Sequence, residues 1–491
     1  MIDNGTAMTH VPVDTAQTIP LVLDLDGTLI RTDSLQEQAL GLIRRKPFAI
    51  FKLVAWVFAG RVVLKERLAA AVPLDPEFLP VNEDVVALAQ REAAKGRKIV
   101  LATAAHADTA RPFLQRFPFI TELLATEGTL NLKGKAKAEA LSKRFPEGFD
   151  YAGDSRADLE VWKHARNAIP VGASSSTVRK ARKSANVTEV ITRPAVLKAF
   201  IKCLRPHQWA KNMLVVVPAI LSGRIIDPST LLPLALAFFA LSLTASATYV
   251  FNDLWDLQDD RQHWSKRRRP FASGTLSLPT GIAGAMICFV AGLVLALLAG
   301  PAVLLWVLVY VAVTLTYSLW LKRKVIHDAM TLASLFTLRL VVGMVAVSAV
   351  PSPWLFVFSM FFFTSLAFAK RHTEIARVIE KGGFWVNGRG YRASDLPLVL
   401  AAGISSSIAA VVIMVLYIIE DAHQQSFIKN GDWLWALPPL IFLISSRIWV
   451  VCQRGELDDD PVVFVVKDKV CLAYAGMAGI SFFLAWFGVP L

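Results

Sequence analysis

Residues 252–274 read NDLWDLQDDRQHWSKRRRPFASG and follow directly on a long apolar run, 231–251, about where a membrane-crossing helix should leave the bilayer. On a helix Asp253, Asp256 and Asp260 are three and four residues apart and share one face, with Asn252 beside them. Asp259 lies farther round and reads as the solvated member. Carboxylates gathered at a membrane boundary repel one another and resist desolvation unless a cation joins them. Oxygen ligands of this kind suit Mg²⁺, which keeps several waters and bridges to phosphates. Arg261, Lys266, Arg267, Arg268 and Arg269 follow. The five cations alone would read as a solvated cytoplasmic loop. Behind a carboxylate cluster they suit a diphosphate or a sugar phosphate.

The chain has 491 residues, is 54% hydrophobic and has a mean hydropathy of +0.48, too apolar for an ordinary soluble enzyme and long enough for more than one domain. A net charge of +13 and a pI near 9.6 could suggest nucleic acid. The basic residues instead recur in loops between apolar runs, which excludes that reading and marks the cytoplasmic side of a membrane protein. Cys203, Cys288, Cys452 and Cys471 show no metal spacing and no paired framework. Residues 1–18 are polar, flexible in character and unlike a signal peptide.

Nine spans are predicted near 210–223, 231–251, 280–299, 302–320, 328–349, 353–369, 396–419, 433–451 and 470–489. Lys and Arg fill alternate loops, at 266–269, 322–324, 370–381 and 447–454, while 300–301 and 350–353 have none. This asymmetry places the N-terminal part and the charged motifs in the cytoplasm of a bacterial inner membrane. An odd number of spans puts the C-terminus outside.

Further polar residues stand at the membrane edge. LRPHQWAKN, 204–212, offers Arg205, Lys211 and Asn212, with Trp209 as an interfacial anchor. After the fourth span come Tyr317, Lys322 and Asp328, and Arg339 stands alone inside the fifth with no partner visible in the sequence. KRHTEIARVIE, 370–380, offers Lys370, Arg371 and Glu374; Lys370 and Glu374 are four apart, as in a surface pair. GYR at 390–392 suggests no role from its residues.

The run N-D-x-x-D-x-x-x-D-R-x-H-x-x-K-x-x-R-P resembles the first aspartate motif of the UbiA superfamily of intramembrane transferases, and within it the decaprenyl-phosphate phosphoribosyltransferase branch. R-P-x-Q-W-x-K-N and GYR resemble the same branch. The resemblance implies a helical membrane domain, 204–491, that joins a polyprenyl phosphate to the anomeric carbon of phosphoribosyl pyrophosphate and releases pyrophosphate. It implies Mg²⁺ on Asp253, Asp256 and Asp260, with Asp253 and Asp256 catalytic. Arg205, Lys211, Asn212, Asn252, Arg261, Lys266, Arg269, Tyr317, Lys322, Asp328, Lys370 and Arg371 would bind substrate. Prenyl-transferring relatives carry at least two spaced aspartates in the second region. Asp328 has no carboxylate near it in the helix that follows, which favours a donor whose phosphates are held by cations.

Residues 19–190 read as an α/β domain. A buried strand ends in DLDGTL, 24–29, presenting Asp24 and Asp26 before a Gly27 turn. A second strand, KIVLATAAH, brings Thr103; Lys137 lies in KAKAEAL; a third strand leads to GDSRAD with Asp154 and Asp158. Alternating strands and helices predict a doubly wound parallel sheet. The four elements resemble the haloacid dehalogenase superfamily of phosphotransferases. That implies Asp24 as nucleophile, Asp26 as general acid/base, Thr103 and Lys137 on the phosphoryl oxygens, and a second Mg²⁺ at Asp24, Asp26, Asp154 and Asp158. A helical insert at 33–80 reads as a cap. Its segment KPFAIFKLVAWVFAGRVVLK, 46–65, is too short to cross a bilayer. It reads first as the cap's own core, and otherwise as a surface helix with Phe51, Trp56 and Phe58 inserted. Residues 191–203 form a helical linker. Two rival readings remain, an aromatic prenyltransferase and a membrane-anchored phosphatase whose spans only bind lipid.

Overall fold

The computed structural model describes residues 19–128, 131–263, 265–386, 388–457 and 460–490; residues 1–18, predicted flexible, lie outside them. The chain divides into two compact units. The first comprises Met1–Cys203 with Asp253–Ile282, the second Leu204–Asn252 with Ala283–Leu491.

In the first unit β1 (Leu21–Leu23) is followed by α1 (Ser34–Arg45), α2 (Ala49–Ala59), α3 (Arg61–Ala71) and α4 (Glu83–Ala94). Then come β2 (Ile99–His106), α5 (Ala107–Arg116), β3 (Ile120–Thr126), α6 (Lys135–Arg144), β4 (Asp150–Gly153), α7 (Leu159–Trp162), β5 (Asn167–Pro170), α8 (Ser175–Ser184) and α9 (Val196–Leu204). The five strands form one parallel sheet in the order β3-β2-β1-β4-β5, with Leu21 opposite Ile99 on one side and Asp150 on the other. Helices cover both faces, which is why β1 reads as an unbroken apolar run rather than an alternating one. The predicted doubly wound sheet is present.

The cap is α1 to α3. Asp33 caps α1 by accepting the Gln36 N–H at 3.0 Å. Gly60, at φ +111°, turns the chain between α2 and α3. Ala49, Leu53, Leu68, Val72 and Leu42 form a small cap core, with Trp56 packed on it. Thus Trp56 belongs to the cap core, whereas Phe51 and Phe58 point outward.

The second unit is helical. A 3₁₀ segment, Pro206–Val216, runs into α10 (Val217–Leu221) and then α11 (Pro228–Trp255). α12 (Leu257–Gln262) belongs to the first unit, and α13 (Leu278–Ala299) begins there. α14 (Pro301–Leu319), α15 (His327–Ala346), α16 (Pro353–Glu380), α17 (Leu396–Glu420), α18 (Leu437–Gln453), α19 (Pro461–Lys467) and α20 (Lys469–Phe487) complete the chain. Among the described residues eight helices are long and apolar enough to cross a membrane, so this is an integral membrane protein. One of the nine predicted spans is not among them. The span expected near 210–223 is mostly 3₁₀, with Pro206 at its start and Pro218 at the start of the short α10. The odd-number argument for the C-terminus therefore turns on this segment. Helices approach closely where side chains are small: a Cβ on Gly343 of α15 would lie 2.0 Å from the Val215 carbonyl oxygen.

Candidate functional site

In the first unit the four predicted elements meet at the C-terminal end of the sheet. Asp24 follows β1 and its Oδ1 accepts the Leu25 N–H at 2.9 Å. Lys137 Nζ lies 2.9 Å from the same oxygen and donates to the Tyr151 hydroxyl at 2.9 Å. Tyr151 in turn donates to Asp158 Oδ1 at 2.9 Å, and the Ser155 N–H and hydroxyl hold Oδ2 at 2.8 Å. Thr103 is fully buried and its Oγ1 accepts the Ala105 N–H at 3.0 Å. Gly27 is required here: at φ +73°, a Cβ would stand 2.1 Å from Asp154 Oδ2.

Asp26 Oδ1 accepts the Ser34 N–H at 2.7 Å and Oδ2 the Ser34 hydroxyl at 3.1 Å, so the first turn of the cap grips it. Burial and the nearby Asp33 charge push Asp26 up to about 8. Burial raises Asp24 to about 6 against the pull of Lys137, and burial with the Asp24 charge raises Asp154 to about 7. Burial alone would depress Lys137, but Asp24 and Asp158 outweigh it and hold the ammonium above its ordinary value. Asp24, Asp154 and Asp158 have carboxylate oxygens within 4.8 Å of one another. Three hard oxygen donors this close fit Mg²⁺, whose charge would offset the burial that raises Asp24 and Asp154.

These groups line a cleft of about 600 Å³. Cap residues Val57, Arg61, Leu64 and Lys65 border it, with His106, Lys133 and Arg193, and with Ser277, Leu278 and Pro279 from the start of α13. Sequence reasoning assigned no role to Lys65 or Ser34. Lys65 Nζ donates at 2.5 Å to the Ala104 carbonyl and at 2.7 Å to Asn131 Oδ1, reaching from the cap to the sheet. The signal available was a lysine at the end of an apolar cap segment.

The aspartate loop departs from one continuous helix. α11 ends at Trp255 and Asp256 caps α12, so the three carboxylates do not share one helical face. Asp253 and Asp260 still converge: Arg269 Nη1 donates to Asp253 Oδ1 at 2.9 Å and to Asp260 Oδ2 at 2.7 Å. Both acids are buried, and burial lifts Asp260 to about 6 despite Arg269. Asp259 is half exposed and pairs with Arg44 at 2.6 Å. Arg261, predicted to bind substrate, instead forms a fork with Glu37 of the cap, at 2.6 and 3.0 Å. Asp256 and Lys266 are partly buried.

In the second unit Asp328 is wholly buried. Arg371 Nε stands 2.6 Å from its Oδ2 as an ion pair, and its Oδ1 accepts from Arg389 Nη1 at 2.9 Å and from the Tyr317 hydroxyl at 2.9 Å. Arg371 also pairs with Glu374, so the expected Lys370–Glu374 pair gives way to Arg371–Glu374. Arg389 went unnoticed in the sequence, although it precedes GYR; Tyr391 of that triplet accepts the Ile326 N–H at 3.1 Å. Arg339 finds the partners the sequence could not name: Asn212 Oδ1 at 2.8 Å, the Leu335 carbonyl at 2.6 Å and the Tyr310 hydroxyl at 3.0 Å. Lys211 pairs with Asp460 over the Phe336 ring, Arg205 lies over Tyr249, and Lys322 is buried. Lys370 and Asn252 are partly buried.

A family model described as the UbiA prenyltransferase family matches residues 213–466. An uncharacterized protein of Sinorhizobium fredii, y4nM, is 38% identical over 470 residues, covering 95% of this chain and 91% of its own. That likeness runs through both the α/β half and the membrane half. Decaprenyl-phosphate phosphoribosyltransferase of Mycobacterium tuberculosis is 27% identical over 303 residues, 60% of this chain and 97% of its own. Among solved structures, a phosphoserine phosphatase with an analogue of its phospho-aspartyl intermediate covers 38% of this chain and 98% of that one, at 15% identity and a TM-score of 0.26.

Proposed function

We propose, on the premise that this chain belongs to the UbiA prenyltransferase family, that it transfers 5-phosphoribosyl from phosphoribosyl pyrophosphate to a polyprenyl phosphate and that its N-terminal domain, 19–190, then removes the 5-phosphate. The observation that carries the transferase reading is the state of Asp328. The carboxylates of Asp328 and Glu374 are matched by Arg371 and Arg389, with Lys370 beside them in excess, so the second polar region suits phosphate oxygens held by cations rather than a second metal. A relative that matches over 97% of its own length is named for this reaction.

In the transfer, the acceptor phosphate is ionised at neutral pH and needs no general base. Its oxygen attacks the anomeric carbon as the bond to pyrophosphate breaks. Lys211, Lys266, Lys322, Arg371 and Arg389 offer charge for the phosphates. Asp253, Asp256 and Asp260 would hold Mg²⁺ only after drawing together, for among the described residues the carboxylates that lie in threes within 4.8 Å of one another are Asp24, Asp154 and Asp158. The ion would supply Lewis-acid stabilisation of the pyrophosphate leaving group. Arg269 now supplies the positive charge between Asp253 and Asp260.

In the phosphatase, Asp24 attacks phosphorus and the P–O bond to the sugar carbon's oxygen breaks. Asp26, protonated at neutral pH because its pKa is about 8, gives its proton to the leaving oxygen. It then takes a proton from the water that releases phosphate from Asp24. Lys137 and Thr103 steady the phosphoryl oxygens. Asp24, Asp154 and Asp158 would hold Mg²⁺, which supplies charge neutralisation between Asp24 and the phosphoryl group.

The 3₁₀ segment and α10 supply a ninth crossing in this reading. Eleven residues at roughly 2.0 Å and five at roughly 1.5 Å reach about 30 Å, the thickness of the hydrocarbon core. The N-terminal domain then stays on the cytoplasmic side.

The test uses purified protein, labelled phosphoribosyl pyrophosphate and a polyprenyl phosphate. A labelled lipid is expected, and Asp24→Asn should accumulate its phosphorylated form. An unlabelled lipid sinks the transferase reading in favour of prenyl transfer or a mere anchor. An identical lipid product with and without Asp24→Asn sinks the sequential phosphatase.

A further inference from the structure

We propose that α2 is an interfacial membrane helix whose outward stripe, Phe48, Phe51, Val54 and Phe58, enters the head-group region of a lipid bilayer and holds the mouth of the phosphatase cleft against the lipid surface. Three of these side chains are among the most exposed large apolar groups of the chain, Phe48 at 85%, Phe51 at 73% and Phe58 at 87%. Their spacing of three, three and four residues puts them on one face of the helix. The opposite face, Ala49 and Leu53, is already committed to the cap core. An exposed apolar stripe on a helix anchored from behind marks an interaction surface.

The occupant follows from three observations. First, α2 has eleven residues and reaches only about 16 Å, too short to cross a bilayer but suited to lying in its plane. Second, Arg45, Lys46, Lys52 and Arg61 are exposed around the stripe, the charge expected where anionic head groups meet an apolar face. Third, the cleft beside α2 is bordered by Leu278 and Pro279, the first turn of a helix apolar and long enough to span. The first turn of a spanning helix lies at the edge of the bilayer, so this rim of the cleft lies there too. Val57 and Leu64 give the cap side of the same rim an apolar lining. A phosphorylated sugar on a polyprenyl tail can then enter the cleft while its tail stays in lipid. This last step rests on the phosphatase reading; the membrane contact does not.

The test uses the full chain in vesicles of phosphatidylcholine and phosphatidylglycerol. Single nitroxide labels are placed at Phe51→Cys, Phe58→Cys and, as an exposed control, Lys143→Cys, with Cys203, Cys288, Cys452 and Cys471 replaced by Ala. Collision with oxygen against collision with a nickel chelate should place labels 51 and 58 roughly 5–10 Å below the head groups, with the control in water. Labels 51 and 58 as open to nickel as the control overturn the proposal. Dipolar broadening between labels of two chains overturns it in favour of a second copy on this face. A second arm compares Phe51→Asp/Phe58→Asp with wild type on two phosphates. Hydrolysis of the vesicle-borne lipid substrate should fall by about tenfold or more, as loss of membrane affinity carried by two phenyl groups requires, and p-nitrophenyl phosphate hydrolysis should hold. An equal fall on both substrates overturns the proposal, because the residues would then serve only the cap. If wild type cleaves neither substrate, the phosphatase reading fails and the depth measurement alone decides the membrane contact.

Discussion

Replacing Glu37 by Ala should destabilise the first unit more than any nearby surface change. The Glu37 and Arg261 side chains are 3% and 5% exposed and share two hydrogen bonds, at 2.6 and 3.0 Å. Thr32 adds a third bond to Glu37 at 2.6 Å. Glu37→Ala leaves a guanidinium buried without its counter-charge, and breaking one side of such a pair costs about 3–5 kcal/mol. Arg261→Ala strands a carboxylate and should cost a similar amount. Removing both relieves the stranded charge, so the double variant should lose less than the sum, with a coupling of about 2–3 kcal/mol. Pulse proteolysis of the four proteins in detergent measures this cycle. Single effects below about 0.5 kcal/mol that simply add would refute the reasoning, for they would mean that water reaches the pair. Because Thr32 lies next to the Asp33–Ser34 turn that grips Asp26, Glu37→Ala should also slow the phosphatase.

Other outcomes follow from the same geometry. Folding raises Asp26 from 3.8 to about 8, so its contribution is favourable below pH 4 and is lost as pH climbs toward 8. Asp26→Asn should therefore gain about 1–3 kcal/mol over wild type between pH 5 and 9, read by thermal unfolding, while phosphatase activity disappears. Arg389→Ala should cut kcat/KM for phosphoribosyl pyrophosphate by roughly ten- to a hundredfold, the worth of one charged hydrogen bond, and leave p-nitrophenyl phosphate hydrolysis unchanged. Under the proposed ninth crossing an alkaline phosphatase reporter on the C-terminus should be active; an inactive one leaves the count at eight.

What could be read in the sequence was local. Asp24, Asp26 and Gly27 lie within one strand and its turn, so the residues and the shape they impose are adjacent in the chain. Asp154 and Asp158 are legible for the same reason. The helical face of Asp253, Asp256 and Asp260 failed because its register assumes an unbroken helix, and the break at Asp256 moves the later carboxylate. Convergence survived through Arg269, whose grip on both acids no spacing rule contains. Partners far apart in the chain were invisible: Arg261 with Glu37, Arg339 with Asn212, Asp328 with Arg389. Each needs the tertiary fold to bring its two members together. The 3₁₀ segment was hidden because hydropathy records apolar length and not rise per residue.

The division of the chain has an engineering consequence. Residues 253–282 belong with the α/β half although almost fifty residues of the helical half precede them. A gene cut at residue 204, where composition invites it, would yield two polypeptides and leave Arg261, Asp259 and Gly274 severed from Glu37, Arg44 and Arg31. The N-terminal product would lack part of its folding unit, and the other would carry that part beside a complete second unit. Co-expression of the pieces, or a shortened version that carries the excised stretch on a linker, would be needed to restore it.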